Sequence, residues 1–488
     1  MTLRCRTQIL PALLTLLLSA STVPASAQQD GGLLLPELGD STSTIASRAD
    51  EHELGQTWLR LFRAKVPEAR DELMYDYLQQ LLQRLADESE LQDKRLDLVL
   101  VNNPTLNAFA VPGGVVGVHN GIFLYAGSEQ ELAGVLAHEL AHLSQRHWVR
   151  SVEKQKQAQI PTMAGLLAGL ALMATTGSDA GLATIMATQA ANLESQLRFS
   201  RENEAEADRV GMQTMVNAGM DPRAVPAMFE SMQRSARYMG DRPPEFLLTH
   251  PVTEKRIADS RNRAEQYPLR QYSSSADFEL MRARARLANA ENPSVAARAF
   301  QSELQGDSRH PDASTYGLAL AQLAQRQFDA AAKTLQPVYQ REPQRLAYVL
   351  AQAEILQGQQ QHAKALALVQ AAQQRQPGNY PATTMAARIL ENMGEYRKAI
   401  QQLESLLDTH RSQPLVWYDL AELRGLAGDT GGVHTARAEY FILTGVFDKA
   451  RQQLTYALQF YQNDGPQSAR IHQRLRELTE MESQTLEI

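Results

Sequence analysis

Cysteine is nearly missing from this chain: Cys5 is the one thiol in 488 residues, and it stands ahead of the first apolar run. That excludes a disulfide framework and thiol catalysis, so support must come from core size or from a metal. It excludes lipoprotein processing too, because a lipidated cysteine would follow the apolar run. Basic charge is short as well. The net charge of −7, more negative still without Arg4 and Arg6, leaves no positive face for nucleic acid. Long hydrophobic runs are also lacking. Ile9 to Ala20 supplies about twelve apolar residues where a membrane span needs roughly 20. With Arg4 and Arg6 before it and Ala25-Ser26-Ala27 after it, that run reads as a cleaved export signal over residues 1–27.

What is present points to a mainly α-helical protein with a small sheet. Residues 28–50 are rich in Gly, Ser, Thr and Asp and read as a flexible entry segment. From Glu53 to Leu85 apolar residues recur at helical spacing, with Pro67 between two helices. Leu96 to Val101 reads as a strand, and Asn107 to Val118 as two more around Pro112-Gly113-Gly114. Ser128 and Glu131 form a capping-box pattern before a helix over Leu132 to Trp148. Residues 160–193 are rich in Ala, Gly and Met. They are expected to form a buried or interfacial helical hairpin, whose interfacial form would touch a membrane surface peripherally. A further helix from about Leu193 to Ala218 should close at Gly219. These pieces make a domain over residues 51–270, with a linker at Tyr272-Ser273-Ser274-Ser275.

The rest of the chain, residues 276–488, repeats. Ala285, Ala319, Ala353, Ala387 and Ala421 stand 34 residues apart, as do Ala297, Ala331, Ala365 and Ala399. That is the tetratricopeptide period. Small residues belong there because paired helices cross closely. The pattern slips near 433 and restarts at Gly445 to Ala450, as an irregular last repeat and a capping helix would.

The chemistry lies in His138-Glu139-Leu140-Ala141-His142, the H-E-x-x-H pattern of zinc proteases. Four residues return to nearly the same helix face, so the two imidazoles can share one ion. Glu139 sits about 100° round the helix, placed for a general base acting on water at that ion. Leu132, Val135, Leu136, Leu140 and Leu143 make this a core helix, where an unpartnered charged Glu139 would be costly. A catalytic zinc takes three protein ligands and keeps one position open. The third ligand should come from Arg201 to Asp208, which offers two i, i+4 pairs: Glu204 with Asp208, and Glu202 with Glu206. Spacing alone does not separate them.

The order N-A-F-A-V-P-G-G, H-E-L-A-H and R-E-N-E-A-E-A-D-R-V-G resembles the gluzincin family that includes HtpX and BepA. With the export signal and the repeats, the chain is most similar to the periplasmic BepA type. The resemblance implies a gluzincin-type metalloprotease domain followed by an α-helical tetratricopeptide solenoid. It implies that Glu204 is the third zinc ligand and that Asp208 orients a ligand histidine. It implies that Asn107, Ala108, Phe109 and Ala110 form an edge strand to which an extended substrate adds. It further implies that His250, before Pro251, can occupy zinc's fourth position and shut the site, and it leaves Arg256 as a candidate to hold an oxyanion. Glu202 and Glu206 then form a solvated face. His119, His147, His310, His362, His410 and His434 are expected at the surface or in packing.

The function so implied is a zinc-dependent endopeptidase of the periplasm. It would act on unfolded or stalled outer-membrane proteins and dock on the outer-membrane assembly machinery through its repeats. The alternative is a repeat scaffold or chaperone on that machinery with latent or secondary proteolysis.

Overall fold

Residues 47–156, 201–239, 244–272, 275–306 and 308–487 are described in a computed structural model of the chain. The export signal, residues 28–46 of the entry segment and the hairpin expected over 160–193 lie outside them, as do Ser273 and Ser274 of the expected linker. Helix α1 (Arg48–Arg63) begins at a reciprocal cap. Asp50 N donates to the Ser47 hydroxyl at 3.2 Å, and Ser47 N donates back to the Asp50 carboxylate at 2.7 Å. Its stripe of Leu54, Trp58, Leu59 and Phe62 is buried. Helix α2 (Glu72–Asp87) follows Pro67, starts at Asp71, and buries Leu78, Leu82 and Leu85 completely.

The small sheet holds β1 (Asp97–Val101), β2 (Ala108–Val111) and β3 (Val115–His119) in the order β1-β3-β2. β1 runs parallel to β3, and β2 runs antiparallel to it, with Ala108 opposite Val118 and Val111 opposite Val115. The connecting turn needs Gly113: its φ is 88°, and a Cβ there would lie 2.4 Å from the Glu51 carbonyl oxygen. The start of α1 therefore packs directly on the turn. Among the described residues no strand pairs with the outer edge of β2.

After the short α3 (Ile122–Tyr125) comes α4 (Glu129–Ser144), the helix that carries the H-E-x-x-H pattern. The Ser128 hydroxyl caps it by accepting from Glu131 N at 3.2 Å. The expected reciprocal bond is replaced, since the Glu131 carboxylate accepts from Gly127 N at 2.8 Å instead. α5 (His147–Lys156) follows after a turn at Arg146, which has the left-handed φ of 50°. α6 (Arg201–Asn217) ends where Gly219 takes φ 72° and Met220 N donates to Met215 O at 2.8 Å. Helices α4 and α6 cross at Gly211, where an added Cβ would stand 3.0 Å from the backbone of Ala137 and His138. Glycine there lets the two backbones close up, which is what carries Glu204 and Asp208 to the histidines of α4. Helices α7 (Ala224–Met239), α8 (Glu245–Thr249) and α9 (Glu254–Ala264) complete this part, with α7 against α4 and α9 against both α6 and α7.

The repeats form successive helix pairs: α10 (Ala276–Ala288) with α11 (Pro293–Gln305), α12 (Pro311–Ala324) with α13 (Phe328–Arg341), and α14 (Leu346–Gly358) with α15 (His362–Arg375). The series continues as α16 (Tyr380–Asn392) with α17 (Tyr396–Glu404) and α18 (Pro414–Leu426) with α19 (Thr430–Leu443). The 34-residue alanines Ala285, Ala319, Ala353, Ala387 and Ala421 are all buried at helix crossings, and so are Ala331, Ala365 and Ala399. After the slip, Ala450 is buried on α20 (Phe447–Phe460), and α21 (Gly465–Glu487) closes the array.

The repeats do not trail behind the rest. α16 and α10 pack on α2, while α19 and α21 reach α1. Arg284 Nε donates to Asp71 at 2.7 Å, Arg388 pairs with Glu72, Gln413 Nε2 donates to the Tyr75 hydroxyl at 2.5 Å, and one apolar core is continuous from Leu73 to Ala436.

Candidate metal centre

Three elements that are distant in sequence bring their polar side chains to one buried point. His138 and His142 project from α4, Glu204 from the first turns of α6, and His250 from the end of α8. Each offers one ligand atom, and these four atoms lie within 4.8 Å of one another. Nε2 of His142 is 3.1 Å from Nε2 of His138 and 3.4 Å from Glu204 Oε1. Nδ1 of His250 is 3.4 Å from Nε2 of His138 and 3.0 Å from Glu204 Oε1. All four residues are at most 5% exposed. Three imidazole nitrogens and a carboxylate oxygen converge where at most one proton can lie between any two. These four separations of 3.0 to 3.4 Å match the roughly 3.3 Å edges of a four-coordinate shell with bonds near 2.0 Å. The donor set therefore fits a small divalent cation.

The electrostatics of the bare cluster follow from that crowding. Burial opposes charge on His138, yet bonds to Asp208 and Glu204 carry it up to about 9. Burial keeps His142 well below the usual histidine range, with His138 nearby adding to the effect. Burial alone would raise Glu204, but the imidazoles of His250, His138 and His142 hold it well below the carboxylate range. One imidazolium and one carboxylate thus share a site shaped for a cation. Glu139 is not one of the four donors. It is 2% exposed, Ala110 N–H donates to its carboxylate, and its Oε1 lies 3.6 Å from His250 Nε2. Burial pushes it above the ordinary carboxylate range against the pull of His250 and His138.

Asp208 stands behind His138 with Oδ1 3.0 Å from Nδ1, where it fixes the ring so that Nε2 faces the cluster. Arg256 was a candidate for an oxyanion, but the structure engages its guanidinium otherwise. Nη1 is 2.7 Å from Glu204 Oε2, and Nε and Nη2 donate to both oxygens of Asp208. A fixed cation is needed there because two buried carboxylates stand one helical turn apart on α6.

The expected substrate strand borders this cluster. His119 N donates to Asn107 O, so in the antiparallel alternation Ala108 and Ala110 turn their amide groups to the outer edge of β2. Phe109 instead lies across Gly117 and meets Trp58 edge-on and Phe62 at a tilt. A cleft of about 100 Å³ runs along this edge to His142, walled by Ala110, Pro112, Leu143 and Trp148. Asn107 is held by α8: its Nδ2 donates to Glu245 Oε2 at 3.1 Å.

Burial raises Glu245 to about 7 against the bond from Asn107. Because this value is above the unfolded one, the stability that the group contributes is full below the unfolded pKa and is lost as pH rises through about 7. Glu245→Gln keeps an acceptor for Asn107 and removes the charge. It is expected to raise the melting temperature more at about pH 8 than at about pH 5. An equal shift at both pH values in thermal melts would contradict that.

Two residues that the sequence assigned to the surface or to packing belong to the cluster's surroundings. His147, fully buried, places Nδ1 2.8 Å from Nδ1 of His142, and its Nε2 is 3.1 Å from Glu206 Oε2. Glu206 is therefore not on a freely solvated face, whereas Glu202 is exposed. The available signal was the five-residue gap from His142 to His147. His119 is a packing residue: it is buried beside Thr105, and burial lowers it to about 4.

Among the described residues, no helix is long and apolar enough to cross a membrane. Residues 72–264 match the model of peptidase family M48, and residues 356–423 match a tetratricopeptide repeat model. The chain is 35% identical over 362 residues to the beta-barrel assembly-enhancing protease of Escherichia coli (strain K12), covering 74% of each chain. It is 36% identical over 345 residues to a putative beta-barrel assembly-enhancing protease of Vibrio cholerae serotype O1, covering 70% of this chain and 71% of that one. A match to the mitochondrial metalloendopeptidase OMA1 of Schizosaccharomyces pombe is confined to 181 residues at 35% identity, 37% of this chain and 50% of that one.

Proposed function

The chain belongs to the family of beta-barrel assembly-enhancing proteases within peptidase family M48, and from that premise we propose that it is a zinc-dependent endopeptidase of the periplasm. Its substrates are unfolded or stalled outer-membrane proteins. The observation that carries the chemistry is the buried convergence of His138, His142, Glu204 and His250. Imidazoles with one carboxylate are a zinc set more than a magnesium or calcium set, which would be oxygen-rich. His138, His142 and Glu204 hold the ion, and His250 fills the fourth position in a shut state.

When bound, zinc supplies Lewis acidity, polarising a scissile carbonyl and bringing the pKa of water toward about 7. Glu139 takes the proton of the attacking water and returns it to the leaving amine. Its raised affinity for a proton suits that double task. Asp208 keeps Nε2 of His138 turned to the ion, with Arg256 neutralising the carboxylates behind it. An extended substrate adds to the outer edge of β2 beside Ala108 and the Ala110 carbonyl, next to Glu139, which the Ala110 N–H holds at this edge.

The repeats supply the docking surface for the outer-membrane assembly machinery, as helical-repeat arrays do for their partners. A second reading, a scaffold or chaperone with latent proteolysis, is favoured by one observation: His250 stands where water would have to enter. Elemental analysis of protein purified under metal-replete conditions should return close to one zinc per chain, and His138→Ala should retain almost none. A wild-type protein without the ion would overturn the peptidase assignment and leave the scaffold.

A further inference from the structure

The two ligand histidines of α4 are supported from behind by different means. His138 has a carboxylate directly against Nδ1, Asp208 at 3.0 Å. Nδ1 of His142 faces another imidazole, Nδ1 of His147, at 2.8 Å with the rings at 76°. The far nitrogen of that ring, Nε2, lies 3.1 Å from Glu206 Oε2, which also accepts from Arg150 Nη1 at 2.9 Å.

One arrangement of protons satisfies these three contacts together. Glu206 Oε2, a carboxylate oxygen already held by Arg150, accepts. Nε2 of His147 must then carry a hydrogen, so Nδ1 of a neutral His147 is an acceptor. Nδ1–H of His142 donates to it, which leaves the lone pair of His142 on Nε2, the atom that faces His138 and Glu204. Reversing any one bond would place a hydrogen on Nε2 of His142, aimed into the cluster. We propose that His147 and Glu206 are positioning residues that fix the tautomer and the aim of His142 for metal binding. The proposal rests on the metal reading given above.

The backbone supports this assignment. His147 comes five residues after His142, and a continuing helix would turn it about 140° away. The chain instead leaves α4 through Arg146 at φ 50°, a conformation that is strained for a non-glycine residue. Arg146 is pinned there by Glu51, with Nη2 2.7 Å from Oε1. That turn brings His147 back beneath His142 at the head of α5. Filling the space would need only an apolar side chain. An imidazole with both nitrogens engaged, joining α4 to α6 across their gap, is required only if the direction of the proton on His142 matters.

The test is metal affinity in the full-length protein, read by competition with a chelator, with thermal melts of the metal-free form as a check on folding. His147→Leu should weaken zinc binding by about 10-fold to 100-fold. His147→Gln, whose side-chain carbonyl can accept from His142, should restore most of it while His147→Leu does not. Glu206→Ala lies at a half-exposed position and leaves the core filled, and it should weaken binding by about 10-fold. Unchanged affinity in His147→Leu or Glu206→Ala, or equal losses in His147→Leu and His147→Gln, overturns the relay. If His147→Leu does not fold, Glu206→Ala decides alone. A wild-type protein that holds no zinc sinks the metal reading itself, whereas a wild type that binds zinc beside an unaffected Glu206→Ala sinks only the relay.

Discussion

Glu139→Gln is expected to retain its zinc and its melting temperature while cleaving an unfolded model substrate about 10²-fold to 10⁴-fold more slowly, the range that a positioned general base contributes. Metal content should hold because Glu139 is outside the four converging donors. The fold should hold because glutamine has the same shape and its carbonyl can still accept from Ala110 N–H. Burial already makes the ionised form of Glu139 unfavourable, so removing the charge does not remove stability. What glutamine cannot do is take a proton from water. Cleavage within twofold of wild type, measured with matched zinc content, would show that the base is elsewhere. Cleavage lost together with zinc would show that Glu139 serves the metal instead of the water.

The sequence carried the part of this centre that depends on local spacing. His138 and His142 converge because four residues nearly close a helical turn, and eight of the nine alanines at 34-residue intervals are buried, Ala297 being partly exposed. The choice between Glu204 and Glu206 was beyond spacing, because α6 carries an acidic i, i+4 pair on each of two faces. Resemblance favoured Glu204, and Glu204 meets the imidazoles while Glu206 meets His147. His147 itself was misjudged because its place depends on one residue, Arg146, leaving the helical region. A left-handed arginine has no signature in composition or period.

Long-range charge pairing was equally illegible. Arg284 meets Asp71 and Arg388 meets Glu72 across more than two hundred residues, so the array sits on α2 although the sequence offered only a linker and a solenoid. Periodicity reports which face of a helix is buried, but it does not report against what.

His250→Ala tests whether the centre is held shut. Nδ1 of His250 is 3.0 Å from Glu204 Oε1 and Nε2 is 3.6 Å from Glu139 Oε1, so this one ring stands between the ligand carboxylate and the base. Phe246 stacks on it at 4.8 Å, and α8 is tied to the sheet by Phe246 N to Leu106 O and by Glu245 to Asn107. A catalytic zinc must keep one position open, and in the proposed centre His250 would take that position from a loop anchored on the residues just before β2. If the shut form is favoured by about 1.4 to 3 kcal/mol, only about a tenth or less of the protein is competent at any moment, and activity is lowered to the same fraction. Removing the ring is therefore expected to raise kcat/KM on an unfolded substrate by about 10-fold or more, while zinc affinity falls because one donor is lost. The two effects separate in an assay with excess zinc. Lower activity under those conditions, with zinc bound, would mean that His250 takes part in the reaction and does not bar it.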